Sequence, residues 1–139
     1  MAGYSSTPLP KKLGIKSDAL VAFLAAPPGF ERTLGALPDG VEVRTQARGR
    51  YDYIVFSATR VAHLALRFPV MARALLPHGG LWVAWPKKKS CIATDLTFDP
   101  VQEVGLDAGL VDNKVCAISE VWSGIRVVWR VENRRPLHR

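Results

Sequence analysis

The stretch "YDYIVFSATRVAHLALRFPVMARALLPHGGLWVAWP", residues 51–86, places two apolar runs around a segment with a helical period. Each run has the length and composition of a strand buried on both faces. Between them, Thr59 is a candidate N-cap and apolar residues recur every three or four positions, at Val61, Leu64, Phe68, Ala72 and Leu75. Pro69 lies inside this period and predicts that the helix is kinked or split. The stretch therefore predicts two parallel strands joined by a helix.

The sequence before residue 51 predicts two more strands. "DALVAFLAAPPGF" contains an apolar run that ends at Pro27-Pro28-Gly29, and "FERTLGALP" predicts one or two turns of helix. "VEVRTQA" alternates apolar and polar residues, as in a half-exposed edge strand. About five residues separate this strand from residue 51, whereas parallel crossovers need about a dozen. We therefore expect the Val41 strand to be antiparallel, or only marginally part of the sheet.

The sequence after residue 86 predicts a helix and a closing hairpin. "TDLTFDPVQEVGLDAG" offers Asp95 or Thr97 as the N-cap of a helix that Gly109 ends. "NKVCAISEVW" and "IRVVWRVE" predict strands joined by a tight turn at Ser123-Gly124. "VDNKV", just before the first of these strands, predicts a structural turn or strand start at the opposite edge of the sheet from Lys87.

Together these elements predict an α/β fold, a three-layer Rossmann-like domain with a mostly parallel sheet and a C-terminal antiparallel hairpin. The chain of 139 residues has the length of one domain. We expect this domain to span residues 1–130, and residues 131–139 to form a basic C-terminal tail without apolar periodicity.

Composition narrows the class of protein. No apolar run is long enough to span a membrane, and residues 1–10 lack the apolar core of a signal peptide, so we expect a cytoplasmic protein. Cys91 and Cys116 predict reduced thiols, and the three histidines lack metal-ligand spacing, so we expect no metal. The formal net charge of +7 favours an anionic partner but does not choose between nucleic acid, a phosphorylated small molecule and simple solubility.

The order of these elements resembles the C-terminal half of the class I S-adenosylmethionine-dependent methyltransferases. The resemblance covers roughly residues 19–130 and includes "ALLPHGGLWVAWP" and the helix end "VGLDAGL". At a finer level, "YSSTPLPKKLGIK", "APPGFE", "WPKK", "TDLT", "VDNKV" and "WSGIR" resemble an uncharacterised bacterial family, domain of unknown function 3052. The second resemblance implies no established activity.

Two positions depart from the methyltransferase pattern. The turn "AAPPGFE" after the first strand has one glycine and two prolines, which donate no amide hydrogen bonds to a cofactor. The second strand ends in Thr45, Gln46 and Arg48 instead of the acidic residue that would hold ribose hydroxyls. We therefore predict no cofactor. If S-adenosylmethionine binds, the resemblance implies that the loop "APPGFE", with Pro28, Gly29 and Phe30 at its centre, and residues 57–60 would hold it.

The carboxyl ends of the parallel strands form the predicted binding edge, because open α/β sheets bind ligands there. This rule selects a set of basic, polar and aromatic residues after the strands, namely Lys87, Lys88, Ser90, Thr94, Asp95, Glu120, Trp122 and Ser123. The lysines would hold an anion, and Trp122 would offer a stacking surface. The alternatives are that the lysines are a solvated strand end and that Trp122 belongs to the core.

Three hypotheses for function follow. The first is a non-catalytic or weakly catalytic module that binds an anionic small molecule or a protein partner at the carboxyl edge of the sheet. The second is a divergent S-adenosylmethionine-dependent methyltransferase. The third is a nucleic-acid-binding protein, which the net charge favours without any recognised binding motif. The sequence predicts no catalytic residue and no oligomeric state.

Overall fold

The computed structural model describes residues 8–134 and contains a six-stranded sheet with four α-helices. The strands are Leu20–Leu24 (β1), Glu42–Arg44 (β2), Tyr51–Ser57 (β3), Leu75–Pro86 (β4), Leu110–Ala117 (β5) and Trp122–Trp129 (β6). The helices are Leu9–Leu13 (α1), Phe30–Leu34 (α2), Val61–Ala74 (α3) and Phe98–Asp107 (α4). Lys88–Ser90 and Val131–Asn133 form single turns of 3-10 helix. No helix among residues 8–134 is long and apolar enough to cross a membrane.

The strand order is β2-β1-β3-β4-β6-β5, with the first four strands parallel and β6 antiparallel to both of its neighbours. One face of the sheet packs against α1 and α2 around Leu13, Phe30 and Trp82. The other face packs against α3 and α4 around Phe68 and Val101. The predicted α/β fold, with three layers, a mostly parallel sheet and an antiparallel C-terminal hairpin, is confirmed.

The direction of β2 differs from one of the two sequence-based alternatives. β2 is parallel to β1, with Leu20 opposite Glu42 and Ala22 opposite Arg44, so the antiparallel alternative is wrong. The edge position is confirmed, because β2 is a three-residue edge strand. The connection to β3 can be short because Tyr53 of β3 is level with Val21, close to the level at which β2 ends. Residues 45–50 therefore return along only a short distance, well within the reach of six residues.

The hairpin turn lies earlier than predicted. Ser123 and Gly124 are inside β6, and residues 118–121 make the turn, with the amides of Ile118 and Ser119 donating to the Trp122 carbonyl. Gly124 is required for packing, since a methyl group there would lie 2.7 Å from the Ile118 Cδ1 atom. The predicted turn at Ser123-Gly124 is therefore wrong, because the glycine makes room for the buried side chain of Ile118.

The starts of the helices also differ in part from those predicted from the sequence. Arg60, not Thr59, is the N-cap residue of α3, and the first amide of the helix, that of Val61, donates to the Asp95 carboxylate at 2.7 Å. Thr97 is the N-cap residue of α4, as one of the two predicted alternatives has it. The helix α3 continues through Pro69 and is not split.

The segment that follows β6 stays in contact with the sheet. The Asn133 side chain donates to the Gly109 carbonyl at 3.0 Å, and Arg134 Nε donates to the Trp129 carbonyl at 2.9 Å. The rest of the basic tail, residues 135–139, lies outside the described residues, as do residues 1–7. The "VDNKV" segment belongs to β5, which starts at the opposite edge of the sheet from Lys87 because β5 runs parallel to β4.

Candidate functional site

The carboxyl edge of the sheet brings together the segments that the sequence places there. β1, β3 and β4 end side by side, with Leu24 opposite Phe56 and Ser57 opposite Ala84. β6 starts at the same edge, since Trp122 pairs with Pro86 and the Lys87 amide donates to the Val121 carbonyl at 2.8 Å. The loops that follow these strands are therefore neighbours.

Lys87 lies at one corner of this edge, on the side of α1. Its side chain is half-buried, and this burial lowers its pKa. The positive charges of Lys89 and Lys12 lower the pKa further, whereas the Glu120 carboxylate raises it. Lys88 is exposed in the 3-10 turn, and Glu120 is exposed in the hairpin turn. This corner gathers positive charge around one partly desolvated ammonium group.

Ser90 and Thr94 use their hydroxyl groups within the protein. Ser90 Oγ donates to the Lys87 carbonyl at 2.7 Å and accepts from the Ile92 amide. Thr94 Oγ1 donates to the Thr59 carbonyl at 2.7 Å and accepts from the amide of Leu96. These bonds hold the loop between β4 and α4 against the start of α3, which is a structural role.

The remaining predicted residues divide between the two faces of the sheet. Asp95 binds the N-terminus of α3, and its neighbour Leu96 packs into the core on the α3–α4 side. Trp122 is buried in the core on the α1–α2 side and offers no stacking surface. Ser123 pairs with Trp85 within the ladder. The structure thus brings Lys87, Lys88 and Glu120 to one corner, whereas the side chains of the other predicted residues bond within the loops or the sheet or pack in the core.

A cleft of about 550 Å³ lies between the loop after β1 and the end of β2. We call it the β1–β2 cleft. It is lined by apolar, charged and polar residues from three elements, namely Phe23, Ala26, Pro27, Gly29, Phe30, Glu31, Arg32, Val43 and Thr45. It includes two of the three predicted cofactor residues, Gly29 and Phe30, and Pro28 is exposed beside them.

The loop after β1 is fixed by local contacts. Ala25 and Gly29 have positive φ angles of 50° and 73°, and Gly29 is the N-cap residue of α2. Phe30 is buried and packs edge-to-face on Phe23, with ring centroids 5.0 Å apart. Both the amide and the hydroxyl of Ser57 donate to the Ala25 carbonyl, so the predicted Ser57 contributes to the shape of the loop.

Sequence reasoning missed four residues of the β1–β2 cleft: Phe23, Arg32, Val43 and Thr45. The last two reach it because β2 runs parallel to β1, which places the end of β2 at the carboxyl edge. An antiparallel β2 would put its other end there. The exposure of Val43, with 41% of its surface accessible, marks the cleft in the structure, and the sequence held no signal for it.

No protein-family model matches the chain, and no curated protein is similar enough to match it. The resemblance to domain of unknown function 3052 stays a prediction. Solved structures share the fold. A magnesium protoporphyrin IX methyltransferase from Synechocystis PCC 6803 with bound SAH is 9% identical, with a TM-score of 0.54 over 82% of this chain and 75% of that one.

Two further structures have the same fold. A SAM-dependent methyltransferase from Aquifex aeolicus is 18% identical, with a TM-score of 0.52 over 84% of this chain and 85% of that one. A ribosomal protein L11 methylase from Lactobacillus delbrueckii subsp. bulgaricus is 10% identical, with a TM-score of 0.58 over 88% of this chain and 75% of that one. The predicted methyltransferase-like fold is therefore confirmed, and at these identities the likeness concerns the fold alone.

These structures correct the prediction that the protein has no cofactor. That prediction rested on the glycine-poor loop Pro27–Phe30 and on the missing acidic residue at the end of β2. It is wrong because a protein that shares this fold, the Synechocystis methyltransferase, has structures with bound SAH and with bound SAM. In this chain the glycine-poor loop still leaves a cleft at the carboxyl end of β1.

Proposed function

We propose that the protein binds S-adenosylmethionine in the β1–β2 cleft, as a divergent protein of the methyltransferase fold. The observation that carries the proposal is the position of the cleft. The chain leaves β1 toward β2 on one side and then crosses to β3 on the other, so the strand order reverses between β1 and β3, and the loop after β1 borders both this reversal and the cleft. Open α/β sheets bind ligands outside the carboxyl ends of the strands at such a reversal.

The lining of the cleft fits an adenosine-containing ligand. Phe23 and Val43 supply an apolar wall, and a volume of about 550 Å³ lies in the range of small-molecule sites. The Glu31 carboxylate lines the cleft and can accept hydrogen bonds from ribose hydroxyls, in place of the acidic residue absent from β2. Thr45 adds a hydroxyl group that can donate and accept.

The loop retains amide donors in spite of its two prolines. Within residues 8–134, the amides of Ala26 and Gly29 take no part in the backbone hydrogen bonds of the loop. An amide group in this position can donate to the carboxylate of an amino-acid moiety. Glu31 also places a negative charge near a ligand whose sulfonium group is positive.

Methyl transfer would require catalytic groups in addition to a binding cleft. When bound, S-adenosylmethionine supplies an electrophilic methyl group. The chain would orient the ligand through the loop after β1, and Glu31 is the carboxylate that lines the cleft. Glu31 is exposed, which suits a binding role more than that of a general base. We therefore propose binding with weak or no catalysis.

Isothermal titration with S-adenosylhomocysteine tests this proposal. We expect saturable binding by the wild-type protein, weakened about tenfold in Glu31→Gln and abolished in Val43→Arg, which extends a long cationic side chain into the cleft. Both residues are exposed, so folding should persist. Glu103→Gln, an exposed carboxylate on α4, is the matched control and should bind as the wild type does. Absence of binding at millimolar ligand would remove the proposal.

A second candidate function is anion binding at the Lys87 corner. The observation in its favour is the half-buried side chain of Lys87 with two other lysines nearby; burial lowers its pKa, and the charges of Lys89 and Lys12 lower it further. A bound phosphate would relieve this repulsion. In a thermal-shift assay with phosphorylated metabolites, Lys87→Gln should lose the stabilisation and Lys11→Gln should keep it. Equal stabilisation of both variants would exclude the corner as the site.

We propose that a protein partner or a nucleic acid, if the protein binds one, would contact the same Lys87 corner. Binding to nucleic acid would weaken steeply as salt increases, because lysines would displace counterions from phosphates. A gel shift that is undetectable at 50 mM salt, or insensitive to salt, would contradict that option.

A further inference from the structure

A second cleft lies at the amino edge of the sheet, opposite the β1–β2 cleft. Its volume is about 490 Å³, and it lies beside the start of β1 and of β3, where Ala19 and Asp52 line it. Its walls also carry two cationic side chains, those of Lys16 and Arg126. We call it the amino-edge cleft. The proposed function does not use it.

Arg126 is the central group of the amino-edge cleft. Its guanidinium carbon lies 5.6 Å from the centroid of the Tyr53 ring. Its Nε atom is buried and has no hydrogen-bond partner among residues 8–134, and no described carboxylate lies within 4.0 Å of the guanidinium group. A buried donor without a partner costs free energy. An unpaired buried polar group of this kind needs a physical explanation, and a bound ion or ligand is one.

The sequence makes room for this arginine. A methyl group at Gly80 would lie 2.5 Å from Arg126 Nε and 3.2 Å from the guanidinium carbon. Gly14, in the loop before β1, approaches the other side of the group, since a methyl group there would lie 3.5 Å from Arg126 Nη1. The Gly14 distance is an ordinary contact, so Gly80 is the glycine that makes room for the guanidinium group beside Tyr53.

Two cationic side chains, Lys16 and Arg126, and two carboxylates, Asp18 and Asp52, line the amino-edge cleft. Asp52 accepts from the Leu20 amide at 2.9 Å through one oxygen and lies 3.1 Å from His78 Nε2 through the other. The Asp18 carboxylate lies beside Gly40. Within the described part of the chain, neither carboxylate forms an ion pair with Arg126 or with the exposed Lys16. The guanidinium group of Arg126 therefore has no anionic partner in this part of the chain.

We propose that the amino-edge cleft binds the oxoanion group, a phosphate or a carboxylate, of a small molecule. The Arg126 guanidinium donates through its planar fork, which matches two oxygens of such a group. Lys16 adds a second positive charge, and the hydroxyls of Tyr53 and Ser17 line the same space as further donors. The site is independent of the cofactor proposal because the two clefts lie at opposite edges of the sheet.

Thermal unfolding in inorganic phosphate, sulfate or citrate, each against sodium chloride of equal ionic strength, tests this site. At 20 mM of either oxoanion class we expect the Tm of the wild-type protein to rise on the order of 4 °C. Arg126→Gln should lose the shift and Lys16→Gln should lose about half of it. Lys11→Gln, an exposed lysine of α1 outside the cleft, should keep the full shift.

Two results would overturn the proposal: no shift with any of the three anions, or the same shift in all four proteins. Stabilisation by citrate alone would assign the site to carboxylates, and stabilisation by phosphate and sulfate would assign it to phosphate groups. If Arg126→Gln does not fold by far-ultraviolet circular dichroism, Arg126→Lys and Tyr53→Phe replace it. Both should reduce the shift, and an undiminished shift in both would contradict the site.

Discussion

Glycine at position 79 lets β3 and β4 approach each other closely. A methyl group there would lie 2.8 Å from the Asp52 carbonyl oxygen and 3.0 Å from the Tyr51 carbonyl oxygen. Backbone atoms of a central strand cannot move aside cheaply. We expect Gly79→Ala to lower the free energy of unfolding by about 2 kcal/mol in urea denaturation.

The matched control for this substitution is Gly105→Ala in α4. A methyl group there meets its nearest neighbour, Val127 Cγ1, at 3.4 Å, which is an ordinary contact. Alanine also favours the helical conformation over glycine. The control should leave the unfolding free energy unchanged or slightly higher. An equal loss in both proteins would contradict the packing argument at Gly79.

The two cysteines should differ in reactivity. Burial raises the pKa of Cys116, and the nearby Lys12 and Lys114 offset this only in part, so its thiol remains protonated at neutral pH. Cys91 is exposed. With a disulfide reagent at pH 7.5, the Cys116→Ser protein, which retains Cys91, should react at the rate of a free thiol. The Cys91→Ser protein, which retains Cys116, should react at least tenfold more slowly. Equal rates would contradict the burial of Cys116.

At the scale of elements, the start of α3 depends on a residue from a distant loop. The Asp95 carboxylate accepts from the Val61 amide at 2.7 Å, and Thr97, the N-cap residue of α4, makes no side-chain cap bond. We expect Asp95→Ala to lower the unfolding free energy by about 1 kcal/mol and Thr97→Ala to have a smaller effect. The reverse order in thermal or chemical unfolding would contradict this assignment.

The return from β2 to β3 is held by one hydroxyl group. Tyr51 donates to the Gln46 carbonyl at 2.7 Å and also approaches the Arg48 carbonyl at 2.6 Å. Tyr51→Phe should cost about 1 kcal/mol and loosen residues 42–50. Hydrogen exchange should then be faster there and unchanged in α4. Uniformly faster exchange would instead indicate global destabilisation.

The sequence predicts correctly the elements whose residue pattern has only one structural interpretation. Strands β3 and β4 are buried on both faces, and their continuous apolar runs have no competing interpretation. Gly124 has two possible interpretations, because glycine is common both in turns and at crowded positions of a core. Only the position of the Ile118 side chain decides between them. The cap from Asp95 to Val61 joins positions far apart in sequence, so no local pattern contains it.

The same limit applies to the candidate site. The rule for parallel strands places Lys87, Glu120 and the loop after β1 at one edge of the sheet, which is where they lie. The rule does not say on which face of the sheet each side chain lies. It therefore groups Thr94 with Lys87, although Lys87 lies on the side of α1 and Thr94 bonds to Thr59 beside α3. Val43 and Thr45 depended on the direction of β2, which their own pattern of alternation does not encode.

At the scale of the whole molecule, the sheet separates two clefts. The β1–β2 cleft lies at the carboxyl edge, and the amino-edge cleft lies at the start of the parallel strands. The two should bind independently, because no residue lines both. Saturating phosphate should therefore leave the affinity for S-adenosylhomocysteine within about twofold of its value in chloride. A larger change would show that the sites are coupled.

Titration of the isotope-labelled protein with S-adenosylhomocysteine, followed by amide chemical shifts, locates the ligand on the molecule. We predict saturable shifts concentrated at Ala26, Gly29, Glu31 and Thr45, with residues of the amino-edge cleft unchanged. The same titration of Val43→Arg should show no saturable shifts. Shifts concentrated at Lys87 and Lys88 instead, or no shifts at millimolar ligand, would contradict binding in the β1–β2 cleft.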